Sequence, residues 1–398
     1  MKVAHITTID LSLRLLLFNQ LRSLQAAGYE VVGISSPGPY VAELEAAGIR
    51  HLAVPMTRRL SPSQDLAALV KLARLLRRER FTIAHTHNPK PGLLGQLAAR
   101  WAGVPIVVNT LHGFYFHDHM PPLWRRFYIQ MEKIAARCSD VILSQNQEDI
   151  QTALREGICR PEQIKWLGNG IDVRRFDRNR VDSTALAQAR QELGLDPARP
   201  VVGFVGRMVA EKGLPELFAA ARTVLAVRPD VQFLLVGPFD AEKRDALTPA
   251  VAEEHGVAGA CTFAGMRQDM PVMYALMDLF VLPSHREGFP RAPMEAAAMG
   301  VPCILTDVRG CREAVQPGRN GLLAPLGDVD ALAAAILRLL DDRALAAQFG
   351  AAGRTLAETH FDEEHVFARV RHEYERLLTE KRPAIDRFIG QSAGYPGR

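Results

Sequence analysis

At 398 residues and 43.9 kDa, the chain is too long for one small module and has the length of two domains. Its 48% hydrophobic and 23% charged content is that of a protein able to bury a full core, which excludes a disordered chain. A formal net charge of +4 and a pI near 8.8 fall well short of a nucleic-acid-binding signature. The five cysteines, at 138, 159, 261, 303 and 311, form no CxxC pair, which argues against a disulfide framework or a zinc knuckle and suits a reducing compartment. The opening MKVAHITTID lacks the basic and apolar regions of a signal peptide, and no stretch reaches the roughly 18 apolar residues of a spanning helix. The expectation is a cytoplasmic protein, at most peripheral on the inner face of the cytoplasmic membrane.

In chain order, a short apolar run at residues 2–7 precedes a helical pattern over 11–27 that ends at Gly28, and a second run follows at 29–35. Further runs at 49–54, 83–86, 106–110, 141–144 and 164–167 are separated by helix-length segments. After Gly168-Asn169-Gly170-Ile171-Asp172 and a charged stretch over 174–182, the alternation restarts at 201–205, 232–236, 262–264, 279–282 and 303–306. Strands buried on both faces and alternating with helices predict parallel, doubly wound α/β sheets. The fold class is therefore α/β, with two Rossmann-like domains facing across a cleft where ligand should sit. The expected boundaries are 1–172 for the first domain, 173–360 for the second, 361–380 for a terminal helix crossing back, and 381–398 for a loosely held tail.

Charge divides unevenly. Residues 1–172 carry 20 Lys/Arg and 14 Asp/Glu, a net of +6, against −2 for the remainder. Arg58, Arg59, Lys71, Arg74, Arg77, Arg78 and Arg80 cluster, and MPPLWRRFYIQ at 120–130 interleaves Trp124, Phe127 and Tyr128 with Arg125 and Arg126. Basic residues mixed with aromatics suit contact with anionic lipid headgroups; a solvated helix face with ordinary core aromatics accounts for them equally well.

Three motifs carry chemistry. Glu287-Gly288-Phe289-Pro290 precedes a helix expected to open near Pro290, with Glu295 about a turn and a half inside it. A helix start offers backbone amides to an anion or to sugar oxygens, here those of Gly288 and Phe289. Two carboxylates eight residues apart can accept from vicinal hydroxyls; the plainer alternative is one surface and one helix-dipole glutamate. The second motif is Gly206-Arg207 at a strand end with Lys212-Gly213 opening the next helix, two cations where a doubly wound sheet binds phosphate. The third is histidine at strand ends. His85-Thr86-His87 and His117-Asp118-His119 invite a metal reading, which is set aside because strand alternation is expected to separate the paired rings and no third ligand stands at convincing spacing. His112, followed by Gly113, is the better candidate; a satisfied loop histidine is the plain alternative.

Together, Glu287 to Glu295 read as an E-x7-E signature, with Gly206-Arg207, Lys212-Gly213, Gly170-Ile171-Asp172 and Asn320-Gly321-Leu322, so the chain resembles retaining glycosyltransferases of family 4, with a GT-B fold, over about residues 1–378. The segments HTHNPKPGLL at 85–94 and TLHGFYF at 110–116 are similar to the subgroup that adds sugars to lipid-carried glycans for surface polysaccharide or glycoprotein assembly. The resemblance implies a nucleoside diphosphate sugar as donor substrate, a UDP-sugar foremost, and a glycan or polyprenyl-linked acceptor presented by the first domain. It gives the donor diphosphate to Arg207 and Lys212 beside Gly206, the donor sugar's hydroxyls to Glu287, the ribose to Glu295, and backbone contacts to Gly288 and Phe289. It puts His112 beside the transferred sugar, and the interdomain crossover at Asn169, Gly170 and Asp172. Where many members have a Gly-Gly loop after the first strand, this chain has Thr8-Ile9-Asp10-Leu11-Ser12, so acceptor and phosphate contacts from that loop do not carry over.

The expected reaction transfers a hexose or N-acetylhexosamine with retention, through a same-face displacement rather than a covalent intermediate, because no acid and nucleophile stand at glycosidase spacing. No metal is required if Arg207 and Lys212 stabilise the leaving group. The competing readings are a nucleotide-sugar epimerase on the same frame and a non-catalytic nucleotide-sugar-binding subunit.

Overall fold

The computed structural model describes residues 1–57, 61–87, 89–117, 120–240, 243 and 245–390. Arg58 and Arg59 of the basic cluster, Asn88, the Asp118-His119 pair and the end of the tail lie outside them. The chain divides into two compact units: one holds Met1–Gly168 with Val366–Arg398, the other Asn169–His365.

The first unit is built on β1 (Lys2–Ile9), β2 (Glu30–Ser36), β3 (Arg50–Ala53), β4 (Ile83–His87), β5 (Ile106–Leu111), β6 (Val141–Ser144) and β7 (Ile164–Trp166). They form one sheet in the order β3-β2-β1-β4-β5-β6-β7, parallel throughout. Apolar runs such as Ile106–Leu111, buried at every residue, are what a sheet covered on both faces demands. One face packs under Pro62–Glu79 and Pro89–Ala102 through Leu72, Leu76, Leu94 and Ala98. The other packs under Leu13, Leu17, Leu21 and the C-terminal Val366, Val370, Tyr374, Leu377 and Ile385.

The second unit carries β8 (Val201–Val205), β9 (Gln232–Val236), β10 (Cys261–Gly265), β11 (Leu279–Leu282), β12 (Cys303–Thr306) and β13 (Gly321–Ala324), in the order β10-β9-β8-β11-β12-β13. All pairings are again parallel. In both sheets the strand order reverses beside the first strand, between β1 and β4 and between β8 and β11. Such a switch point is where doubly wound sheets bind ligands, outside the carboxyl ends of the strands.

Four expectations need correction. The helix read over 11–27 is interrupted: a wide π turn at Leu13–Leu17 separates Asp10–Ser12 from Phe18–Ala26. Period counting misses a turn that admits one extra residue, here one that lets Leu13 fill the space beside Gly33. The Thr8 to Ser12 segment is no open loop, since β1 runs to Ile9 and the buried Asp10 carboxylate accepts from the Leu11 and Tyr40 amides. The tail forms a helix, Arg382–Gly390, held by the buried Ile385. Finally, the units part at Gly168 and His365 rather than at 172 and 360, because the backbone of Ile171 exchanges hydrogen bonds with Phe361 and Glu363 inside the second unit.

Candidate functional site

The carboxyl edge of the second sheet gathers most of the singled-out residues. Gly206 and Arg207 follow β8, and the backbone of Gly206 is held by a hydrogen bond from its amide to the Val236 carbonyl at the end of β9. The approach is so close that a side chain on Gly237, which has φ +144°, would strike the Gly206 carbonyl oxygen. Arg207 leaves this turn to pair with Asp240 at 3.2 Å.

Lys212 ends a single 3-10 turn, Ala210–Lys212, and Gly213 follows in the left-handed region at φ 76°. A β-carbon there would run into the Pro283 carbonyl, so only glycine lets this turn lie against the segment leaving β11. That segment carries Glu287. Lys212 Nζ and Glu287 Oε1 form a direct ion pair with both side chains largely buried. Alongside, Arg286 donates to Glu211 at 2.8 and 3.0 Å, and the His285 amide donates to the Glu211 carbonyl at 2.9 Å. The strand ends flanking the switch point are thus tied by two adjacent ion pairs. A buried cation and anion in contact fix each other's position, since removing either strands the other without solvent.

The helix after Glu287 runs Arg291–Ala298 with Pro290 at its cap, one residue later than expected. The Phe289 carbonyl accepts from Asn169 Nδ2 at 2.7 Å, and its buried ring meets Phe361 edge-on at 5.8 Å. Asn169 also takes the Gly170 amide, and Asp172 caps the amides of Arg174 and Arg175. These three residues therefore brace the second unit.

Glu295 departs from the picture of two carboxylates turned to one ligand. Its Oε2 accepts from Tyr274 at 3.0 Å and its Oε1 stands 3.9 Å from Arg291. Burial pushes the Glu295 carboxyl up, against the pull of Arg291 and the Tyr274 hydroxyl. The structure joins Lys212 to Glu287 and brings Arg207 to the same sheet edge, but gives Glu295 different partners. Sequence reasoning missed Tyr274 and Asp240. Asp240 had a signal, being an acid just beyond the carboxyl end of β9, whereas nothing local marked Tyr274.

In the first unit His112 lies just past β5, with Nε2 3.2 Å from His87 Nδ1. The metal argument over His85 and His87 also needs correction. Residues i and i+2 of a strand share a face, and both rings stack on the same side of β4, 4.3 Å apart. His5, opposite His85 in the β1–β4 register, completes a buried group whose ligating atoms lie within 4.8 Å of one another. The third histidine was invisible to spacing because it comes from a different strand.

The exposed edge of the Pro122–Ala136 helix carries Leu123, Trp124, Phe127 and Ile134 together with Arg126. Trp124, Phe127, Tyr128 and Tyr115 form one ring cluster with centroids 4.8 to 6.3 Å apart. Arg74, Arg77, Arg78 and Arg80 are exposed. Among the described residues, no helix is long and apolar enough to cross a membrane.

Two doubly wound parallel sheets, one with cations and carboxylates locked across its switch point, define an α/β protein of the class that binds ligands at the carboxyl ends of its strands. The comparisons identify which. Residues 199–342 match the model described as glycosyl transferases group 1, and residues 17–170 the glycosyl transferase 4-like domain. The UDP-Gal:alpha-D-GlcNAc-diphosphoundecaprenol alpha-1,3-galactosyltransferase of Escherichia coli is 33% identical over 312 residues, covering 77% of this chain and 79% of that protein. The capsular polysaccharide biosynthesis glycosyltransferase CapM of Staphylococcus aureus is 28% identical over 95% of this chain and 98% of its own length. The crystal structure of Anabaena Alr3699/HepE in complex with UDP superposes with a TM-score of 0.78 at 20% identity, covering 94% of this chain and all of that one. The chain belongs to the group 1, family-4-like glycosyltransferases and has their GT-B fold.

Proposed function

We propose that the protein transfers a hexose or N-acetylhexosamine, with retention, from a UDP-sugar to a lipid-diphosphate-linked glycan during surface polysaccharide assembly. The observation that carries this is the Lys212–Glu287 ion pair at the switch point of the second sheet, with Arg207 on the same edge. Charge develops on the departing diphosphate as the glycosidic bond breaks, and two fixed cations stabilise it where water is excluded. They supply the charge a divalent cation would otherwise bring. Glu287 holds Lys212 in place and accepts from the sugar's hydroxyls; Glu295 takes the ribose by exchanging one of its present partners. Gly206, Gly288 and Phe289 supply backbone contacts to the donor. The first unit presents the acceptor, with His112 beside the transferred sugar. The reading draws its donor from the UDP complex of the Anabaena protein and its acceptor from the diphosphoundecaprenol named for the Escherichia coli relative.

The experiment is a transfer assay with UDP-sugars and a polyprenyl-diphosphate-linked monosaccharide in excess chelator. Product in which the anomeric configuration is kept supports the reading. Turnover that needs added Mg²⁺ or Mn²⁺ contradicts the role given to the two cations.

The first unit docks on anionic lipid, in this reading, through the apolar and basic edge of the Pro122–Ala136 helix. Aromatics and leucine flanked by arginine bind such a surface by apolar burial plus attraction to headgroups, and the placement brings the enzyme to a membrane-borne acceptor. Trp124→Asp with Phe127→Asp is expected to abolish co-flotation with phosphatidylglycerol vesicles while leaving the melting temperature within a few degrees. Undiminished flotation sinks the docking site.

A further inference from the structure

The buried histidines of the first unit form one hydrogen-bonded file. His85 Nε2 lies 2.7 Å from the Thr110 hydroxyl, and His85 Nδ1 is 2.6 Å from the Tyr374 hydroxyl. That hydroxyl reaches His5 Nε2 at 3.4 Å, His5 Nδ1 is 3.0 Å from His87 Nε2, and His87 Nδ1 is 3.2 Å from His112 Nε2. His5, His85 and His87 are essentially without solvent exposure. Burial holds all four rings uncharged at neutral pH, with His5 lowered to about 3 and His112 to about 4.

A neutral imidazole has one N–H and one lone pair, so a ring bonded at both nitrogens donates through one and accepts through the other. Each ring in the file therefore dictates the next. The Thr110 hydroxyl at one end can both donate and accept, so the file can run in two senses. In the first, the donating nitrogen of His112 is Nδ1. Its Nε2 then accepts from His87 Nδ1–H, His87 Nε2 from His5 Nδ1–H, and His5 Nε2 from the Tyr374 hydroxyl. The Tyr374 oxygen accepts from His85 Nδ1–H, and His85 Nε2 from Thr110. In the second, every bond is reversed and each ring carries its proton on Nε2; any mixture leaves a buried donor or acceptor unpaired.

We infer that the Thr110–His85–Tyr374–His5–His87–His112 file is a single proton-ordered chain that holds all four histidines in one common tautomer, with His87 as the positioning residue that orients His112. A metal ion on His5, His85 and His87 is the weaker use of these rings. His85 already bonds protein hydroxyls through both nitrogens, and among the described residues no carboxylate hydrogen-bonds these rings to offset a buried divalent charge. The part given to His112 rests on the proposed glycosyl transfer; the tautomers do not.

The test has two readouts. Long-range ¹H–¹⁵N spectra of the ¹⁵N-histidine-labelled full-length protein at neutral pH are expected to show all four rings in the same tautomer. Nδ1–H and Nε2–H forms mixed among the four, or any ring exchanging between forms, overturns the chain. Stoichiometric zinc retained on these rings without either N–H does the same. In the second readout His87→Asn, whose amide can still donate to or accept from His112, is expected to keep near-native kcat. His87→Phe is expected to lose at least about tenfold in kcat at unchanged donor KM, the mark of misplacement rather than lost binding. Equal losses in the two variants, each with a native melting temperature, overturn the positioning role. If the wild type transfers no sugar, the proposed function fails while the tautomer result still decides the chain.

Discussion

Arg207→Ala is expected to cut turnover by two to three orders of magnitude, about 3 to 4 kcal/mol of transition-state stabilisation for one preorganised donor to developing charge. In the structure Arg207 pairs with Asp240 at 3.2 Å. The loss should therefore come with little change in folding, since a partly exposed ion pair is worth about 1 kcal/mol or less. Lys212→Ala should cost as much turnover and also destabilise, because it strands the buried Glu287 carboxylate. Steady-state kinetics with melting curves on both variants separate the two effects. Turnover above about a tenth of wild type for Arg207→Ala removes that residue from the leaving-group role.

Acid is expected to unfold the first unit before the second. Burial lowers His5 to about 3 and His112 to about 4, and His85 and His87 well below the ordinary 6.5. Below pH 6.5 the unfolded chain takes up protons that the folded unit refuses. The stability these rings contribute is whole above pH 6.5 and is lost as the pH falls toward the folded values. Each histidine costs about 1.4 kcal/mol per pH unit in that window, so the four together remove roughly 2 to 5 kcal/mol between pH 6 and pH 5. The three tryptophans, at 101, 124 and 166, all lie in the first unit, so urea titrations followed by tryptophan fluorescence report on it alone. A midpoint that does not move between pH 7 and pH 5 contradicts the buried neutral cluster.

Much of this architecture could be read from one chain because the strands of a doubly covered sheet announce themselves as apolar runs. The runs at 201–205, 232–236, 279–282 and 303–306 became strands with those same bounds. What escaped was set by contacts distant in sequence. The π turn at Leu13–Leu17 depends on how Leu13 meets Gly33, and β13 was masked because it opens on Gly321 just after Pro317-Gly318. The same division runs through the site. Lys212 and Glu287 were legible as types at suitive strand ends, yet nothing local told that they pair across the switch point, or that Glu295 turns to Tyr274. The histidine file was hidden most completely, since its members come from β1, β4, the end of β5 and a C-terminal tyrosine 289 positions beyond His85.

The central claim is that the carboxyl edge of the second sheet holds a nucleoside diphosphate by Arg207 and Lys212. A thermal-shift titration with UDP decides it most directly. Saturation at 100 times the dissociation constant stabilises a protein by about 2.7 kcal/mol, so wild type should melt several degrees higher with UDP. The Arg207→Ala/Lys212→Ala double variant should show no such rise at the same concentration. A double variant that gains the full wild-type shift would place the nucleotide elsewhere and contradict the account.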